Sequence, residues 1–197
     1  MKRLFTTLIM VLFLFVLSAC NNSNSNTIYV VELSDRENTI LSTTSDKSFV
    51  FDFEVDSEYE EASVWIEKYE DGELVDDRIG TITVGRNESG SITFSNPMIN
   101  NTEKHHTFNI GIGSNGVIGS KTFNDTGSND LDNMSSVWGS FPEEITLNQG
   151  ELVLANISYS DDEFGMSSLS TTFYENPEGN VDELEEYDIT YLFKAEF

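Results

Sequence analysis

The chain has one cysteine and two histidines among its 197 residues. A lone thiol excludes an internal disulfide, so a folded extracellular domain has to be stable without one. The histidines, His105 and His106, are sequence neighbours. Neighbours on a strand point to opposite faces, so the two do not easily share a metal ion, and the remaining ligands of a zinc site are missing. His106 belongs to an apolar face with Phe108 and Ile110, which gives it a structural role, while His105 faces solvent. Basic residues are scarce as well, ten Lys and Arg against 35 Asp and Glu, a net charge of −25. Nucleic-acid binding is excluded by the absence of a basic footprint. Flat contact with anionic lipid head groups is disfavoured for the same reason.

Long hydrophobic runs are also missing, with one exception at the start. Lys2 and Arg3 precede Leu4 to Leu17, an apolar stretch interrupted only by Thr6 and Thr7, and the small residues Ser18 and Ala19 follow. Charge, apolar core and small-residue cleavage site in that order are the plan of a secretory signal peptide. A fourteen-residue helix spans roughly 21 Å at ~1.5 Å per residue. A bilayer core takes about 20 residues, so the run is too short for a comfortable transmembrane helix.

Leu17-Ser18-Ala19-Cys20 resembles the bacterial lipobox at all four positions, directly after the apolar run and at the chain's single cysteine. The resemblance implies that residues 1–19 are removed and that the Cys20 sulfur carries a diacylglyceryl thioether. The protein would then sit lipid-anchored on the outer face of the cell membrane. Each buried CH₂ contributes about 0.8 kcal/mol, and two acyl chains hold where one binds only reversibly. Asn21-Asn22-Ser23-Asn24-Ser25-Asn26-Thr27 has no apolar residue and no periodicity, so residues 20–27 read as a lipidated cysteine with a flexible polar tether. Fully extended, seven residues reach about 23–25 Å, which keeps the body close to the membrane.

From Cys20 onward, eight basic residues face all 35 acidic ones, a net charge of −27. Such a surface suits salty or alkaline surroundings, and it speaks to solubility and association rather than to fold. The remaining length is enough for one substantial domain or two small sandwiches.

Strand patterns fill this body. Phe49, Phe51, Phe53 and Val55 alternate with polar residues, and so do Tyr187, Ile189, Tyr191, Phe193, Ala195 and Phe197. Period-two alternation of this kind marks half-buried strands. His106 to Ile112 and Val153 to Tyr159 repeat it. Further strands are expected at 28–33, 63–69, 74–84, 91–95, 117–123, 137–141 and 169–174. Asp71-Gly72 suits a two-residue hairpin turn. Its ideal register faces Trp65 with Arg78, a cation–π contact, but also faces Glu67 with Asp76, an unfavourable like-charge pair. No stretch shows a helical period, with one acidic turn at most over 181–187. The expected fold is all-β, an antiparallel β-sandwich of immunoglobulin-like or jelly-roll-like type. Residues 28–123 form a first β-sandwich region, 124–133 an acidic loop or linker, and 134–197 a second β-rich region, either a separate subdomain or part of one core. A lipobox, a polar tether and an acidic β-rich body together resemble the small lipoproteins of Gram-positive bacteria, a resemblance of style that implies no activity.

Motifs that carry chemistry are few. Gly-x-Ser-x-Gly, the hydrolase elbow, does not occur. Gly111-Ile112-Gly113-Ser114-Asn115-Gly116 has no P-loop lysine and leads into a strand, which fits a hairpin turn. Carboxylate pairs such as Glu60-Glu61, Asp76-Asp77 and Glu143-Glu144 arise by chance among 35 acids, and no catalytic residue is assigned. Calcium is the one cofactor the sequence suggests. Asp125, Asn129, Asp130 and Asp132 offer clustered oxygen ligands, although without the glycine and glutamate of an EF-hand. Asp161-Asp162-Glu163 is a second acidic loop. Trp138, in Ser136-Val137-Trp138-Gly139-Ser140-Phe141, shares a strand face with neither Val137 nor Phe141, which makes it the candidate for an exposed ligand-binding ring. The functional expectation is a membrane-anchored envelope lipoprotein acting as a binding or interaction module for a protein or cell-wall partner. A calcium-dependent or wall-glycan-binding domain is the alternative, and an envelope-polymer hydrolase the third.

Overall fold

Among the described residues, eleven strands build two antiparallel sheets that pack face to face without closing into a barrel. The structure is a computed structural model that describes residues 26–85, 88–98, 106–114, 116–125, 131–147, 150–162 and 165–197. The strands are β1 (Thr27–Val30), β2 (Ser45–Glu54), β3 (Glu61–Glu70), β4 (Glu73–Gly85), β5 (Ser89–Pro97), β6 (His106–Ser114), β7 (Val117–Asp125), β8 (Ser135–Ser140), β9 (Glu144–Thr146), β10 (Glu151–Ser160) and β11 (Ile189–Glu196). One sheet has the order β7-β6-β5-β2-β1-β9 and the other β4-β3-β11-β10-β8. The second sheet thus draws strands from both sides of residues 124–133, and one continuous core runs through both regions.

The alternation read in the sequence fills that core. Phe51, Phe53, Ile92, Phe94, Phe108 and Ile110 point inward from the first sheet, and Val64, Ile66, Ile157, Tyr191 and Phe193 from the second. Phe193 is the hub. Its ring centroid lies 4.9 Å from Phe94, 5.5 Å from Phe49 and 5.8 Å from Phe108, so three strands of one sheet meet one residue of the other. Rings of this size bury about 150–250 Å² each, enough to hold a disulfide-free domain of this length.

Three expectations from the sequence need correction. A helix, α1 (Asp35–Thr44), joins β1 to β2, where no helical period was expected. No residue of it is buried, so no apolar face marks it in the sequence. It starts instead from a capping box: the Ser34 side chain accepts from the Glu37 N–H, and Glu37 Oε2 accepts from the Ser34 N–H at 2.8 Å. The strand expected at 169–174 is the short helix α2 (Thr171–Glu175), capped by Ser170, whose hydroxyl accepts from the Phe173 N–H at 3.1 Å. A 3₁₀ segment, Glu178–Glu186, follows and includes the acidic turn expected there.

The third correction is that β10 and β11 are not half-buried. Their outer face lies under the 165–187 segment, whose Leu169, Phe173, Tyr174 and Leu184 are buried. Polar residues on that outer face are satisfied internally. Tyr174 donates to Asn156 Oδ1 at 2.7 Å, Asn156 donates to Ser158 Oγ at 2.8 Å, and Thr190 donates to Ser158 Oγ at 3.0 Å. The sequence disguises this layer because a strand with polar residues on one face normally meets water there.

At the β3–β4 hairpin, Asp71 (φ 50°) and Gly72 (φ 78°) give the two left-handed residues that such a turn requires. Bulges then shift the register, so that Lys68, not Glu67, faces Asp76. The expected like-charge pairing of Glu67 with Asp76 therefore does not form. Trp65 still meets Arg78, whose guanidinium carbon lies 4.3 Å from the ring centroid.

Candidate functional site

Antiparallel pairing sorts the connections between two ends of the sandwich. Thr27, Glu54, Glu61, Gly85, Ser89, Ser114 and Glu196 lie at what we term the lower end. Ser45, Glu70, His106, Asp125, Ser135, Ser160 and Ile189 lie at the upper end. Both acidic segments singled out in the sequence, from Asp125 and from Asp161, therefore spring from the upper end, although they are far apart in the chain.

Lys68 organises the interior of that end. Its Nζ is 3.0 Å from Asp125 Oδ2 and 2.7 Å from Glu70 Oε1, and its side chain is 6 % exposed. Tyr191 donates to Asp125 Oδ2 at 2.6 Å. Tyr191 in turn meets Tyr159 edge-on at 6.3 Å, and Tyr159 meets His106 edge-on at 5.3 Å. Burial pulls the Lys68 ammonium down, but hydrogen bonds and charge from Glu70 and Asp125 outweigh it and hold its pKa above the ordinary lysine value. Chemically this is a fixed ion pair, in which the Asp125 carboxylate already has a cation beside it.

Of the other calcium candidates, Asn129 and Asp130 lie outside the described residues, as does the side chain of Asp132; the Asp132 backbone is in a 3₁₀ turn, Leu131–Asn133. Among the described residues, no group of three or more His, Cys, Asp or Glu side chains is arranged to hold a metal ion. Cys20 also lies outside the described residues, and no described helix is long and apolar enough to cross a membrane.

Trp138 is 53 % exposed on β8, an edge strand. Lys47, from β2, places its ammonium 4.8 Å from the Trp138 ring centroid and 2.5 Å from Asp46 Oδ2. Trp65 is the opposite case. Fully buried, it stands outside the core cluster, on the outer face of the second sheet. Arg78 and Lys194 cover it, and Lys194 Nζ bonds Glu67 Oε1 at 2.8 Å and Glu151 Oε2 at 2.6 Å. Tyr69 adds a hydrogen bond to Glu67 Oε2 at 3.0 Å. Glu67 was expected to face Asp76. What the pattern did offer was a strand whose outward positions read Trp65, Glu67, Tyr69, a large aromatic alternating with a charge.

The lower end carries an open groove of about 540 Å³ lined by Glu58, Tyr59, Glu60, Glu61 and Glu196. Of the carboxylate pairs in the sequence, Glu60-Glu61 falls here, and Asp76-Asp77 and Glu143-Glu144 are exposed elsewhere. The chain enters the domain at this end through a clasp: Asn26 Nδ2 donates to Asp56 Oδ2 at 3.0 Å, and the Asp56 N–H donates to Asn26 Oδ1 at 2.7 Å.

Among known proteins, the family model described as the YgaN domain matches residues 27–197, from the first strand onward. No curated protein matches the chain, and no solved structure does.

Proposed function

The chain belongs to the YgaN domain family, and we propose that it acts as a lipid-anchored binding module on the extracytoplasmic face of the cell membrane. One observation carries the reading: the domain begins at Thr27, at its lower end, one short polar tether after the cysteine of the lipobox-like Leu17-Ser18-Ala19-Cys20. In this reading Cys20 bears the acyl chains, and the Asn26–Asp56 clasp fixes where the tether meets the body. The lower end then faces the bilayer, and the upper end faces outward.

The charge distribution supports that arrangement. Glu58, Glu60, Glu61 and Glu196 line the groove at the same end as the point of attachment, and anionic head groups repel them. The body therefore stands off the surface on its tether instead of lying flat. A rigid sandwich that presents connections at its far end is a common scaffold for recognition. Trp138 favours a more specific version, in which the exposed ring stacks on a wall glycan or packs on a protein partner.

Orientation provides the test. The lipidated chain, reconstituted in vesicles, is labelled with a fluorophore at Ser89 (lower end) or at Ser135 (upper end), both exposed. A head-group quencher should dim the Ser89 label at least twofold more than the Ser135 label. Equal quenching, or stronger quenching at Ser135, would contradict the proposed arrangement.

A further inference from the structure

The two sheets leave four edge strands, and three of them are blunted. β4 carries Glu73, Asp76, Asp77 and Arg78 along its exposed half and is bulged against β3. β7 packs against β4, Gly119 lying close to Ile82. β9 is only three residues long and begins at Glu144. Charge, bulges, cover and shortness are the devices by which proteins keep sheet edges from pairing with other chains.

Among the described residues, β8 has none of them within its own strand, and the one neighbouring charge on it is the Lys47 ammonium over the Trp138 ring, already paired with Asp46. Ser135-Ser136-Val137-Trp138-Gly139-Ser140 contains no charge and no proline, and it pairs with β10 without a bulge. Among the described residues, no backbone group bonds to β8 on the side away from β10. In a chain with 35 acidic residues, six consecutive uncharged residues on an edge leave the backbone groups open to a strand. Trp138 projects from the middle of this edge, 53 % exposed, where a strand paired with β8 would cover it.

Charge complementarity selects the occupant. Exposed Asp161 and Asp162 follow Ser160, the partner of Ser135 at the upper end of β8, and exposed Glu143 and Glu144 come three and four residues after Ser140, where the chain crosses to β9 of the first sheet. A six-residue strand is about 20 Å long at ~3.4 Å per residue, and this neutral stretch has acidic residues beyond each of its ends. A second copy of this chain brings the same negative charges and is repelled. We propose that the edge of β8 docks an extended peptide segment of a partner, neutral and β-branched in its centre and basic at both ends, which adds a sixth strand to the second sheet. This deepens the binding-module reading and names its ligand class: backbone hydrogen bonds supply affinity, while Trp138 and the acidic flanks supply selectivity.

The test uses the full chain in mild detergent and a synthetic peptide of about ten residues, threonine alternating with valine and two lysines at each end. Because the assay needs no membrane, its result is independent of whether Cys20 carries lipid. Trp65 is fully buried and Trp138 half exposed, so a change in tryptophan emission on binding reports on Trp138. The peptide should bind with a blue shift that disappears in Trp138→Phe while binding persists. N-methylation of the alternate peptide amides that face β8 should weaken binding at least tenfold. Trp138→Lys, which sets a positive charge against the peptide on an exposed position, should also weaken it. Equal binding of the N-methylated peptide would overturn the proposal in favour of simple attraction to an acidic surface. So would binding that leaves the emission of Trp138 unchanged, absence of binding, or a β8-dependent dimer of the chain in sedimentation.

Discussion

Lys68 Nζ lies 3.0 Å from Asp125 Oδ2 and ties β3 to β7 across the upper end of the sandwich. One of the carboxylates that the sequence offers to a metal ion is therefore paired with a lysine of the same chain. The side chains are 6 % and 12 % exposed, so neither partner has ready access to water if the other is removed. Lys68→Met should cost about 3–5 kcal/mol, the range for breaking a buried pair from one side. Adding Asp125→Asn should recover part of that loss in urea unfolding. Additive losses would mean that the two residues act independently. Calcium at millimolar concentration should raise the melting temperature no more than sodium at matched ionic strength, and a calcium-specific gain would show that the Asp125–Asp132 segment collects an ion despite Lys68.

The roof over Trp65 gives a second cycle. Lys194 and Glu67 are 13 % and 8 % exposed, and among the described residues Lys194→Met leaves Glu67 with the hydroxyl of Tyr69 and the distant indole N–H as its donors. A loss of about 3 kcal/mol is expected, and Glu67→Gln in the same chain should reduce it. Trp65 emission follows the event directly, because the opened roof exposes the ring. No loss on Lys194→Met would mean that packing by Arg78 alone holds the indole.

Much of this was legible before the structure. Phe49, Phe51 and Phe53, and likewise Tyr191 and Phe193, alternate because one face of their strands meets the core. Asp71-Gly72 names its own turn, and the Trp65–Arg78 contact followed from that hairpin even though bulges changed the register. What stayed hidden has physical causes. α1 buries nothing, so only its Ser34/Glu37 capping box announces it. Asn156, Ser158 and Thr190 look like solvent-facing residues until Tyr174 and its neighbours fold over them. The link from Lys68 to Asp125 joins residues 57 positions apart, and local pattern carries no information about such pairs. Glu67, likewise, gave no sign that its partner is Lys194.

Glycine at position 80 is a steric requirement as well as a conformational one. Gly80 has φ 73°, and a Cβ there would fall on the ring of Phe123 and within 2.8 Å of Ile110 Cδ1. Gly116 has a similar φ of 81° with nothing within 4 Å of its would-be Cβ. Gly116→Ala should therefore cost only the left-handed strain, about 1–2 kcal/mol. Gly80→Ala should cost about 1–3 kcal/mol more through overpacking. Equal losses in thermal unfolding would show that Phe123 moves aside freely.

High pH should unfold the domain through several groups that act in one direction. Burial opposes the charged form of Lys194, as of Lys68, but the hydrogen bonds that it donates to Glu151 and Glu67, with their negative charge, outweigh it and raise its pKa above 10.5. Burial and then neighbouring carboxylate charge push the Tyr187 hydroxyl up to about 12, from 10.0. Burial is also the main cause of the upward shifts of Tyr69 and Tyr174. Each group keeps its proton in the folded state after the unfolded chain has released it. Their contributions are complete below pH 10 and are lost as pH rises through the folded values. Melting temperature should fall steeply above pH 10, and tyrosinate absorbance from the buried rings should appear together with unfolding. Full tyrosine ionisation at ordinary pKa values in a still-folded chain would contradict this.

The account as a whole rests on Cys20 as the point of attachment to the membrane. Cells that express the wild-type chain or Cys20→Ala are fed labelled palmitate, and the immunoprecipitated protein is counted. Label should enter the wild type, which fractionates with membranes, and be absent from Cys20→Ala, which should accumulate as precursor or be released. Equal labelling of the two proteins, or no label in either, would contradict the lipid anchor and the outward-facing orientation built on it.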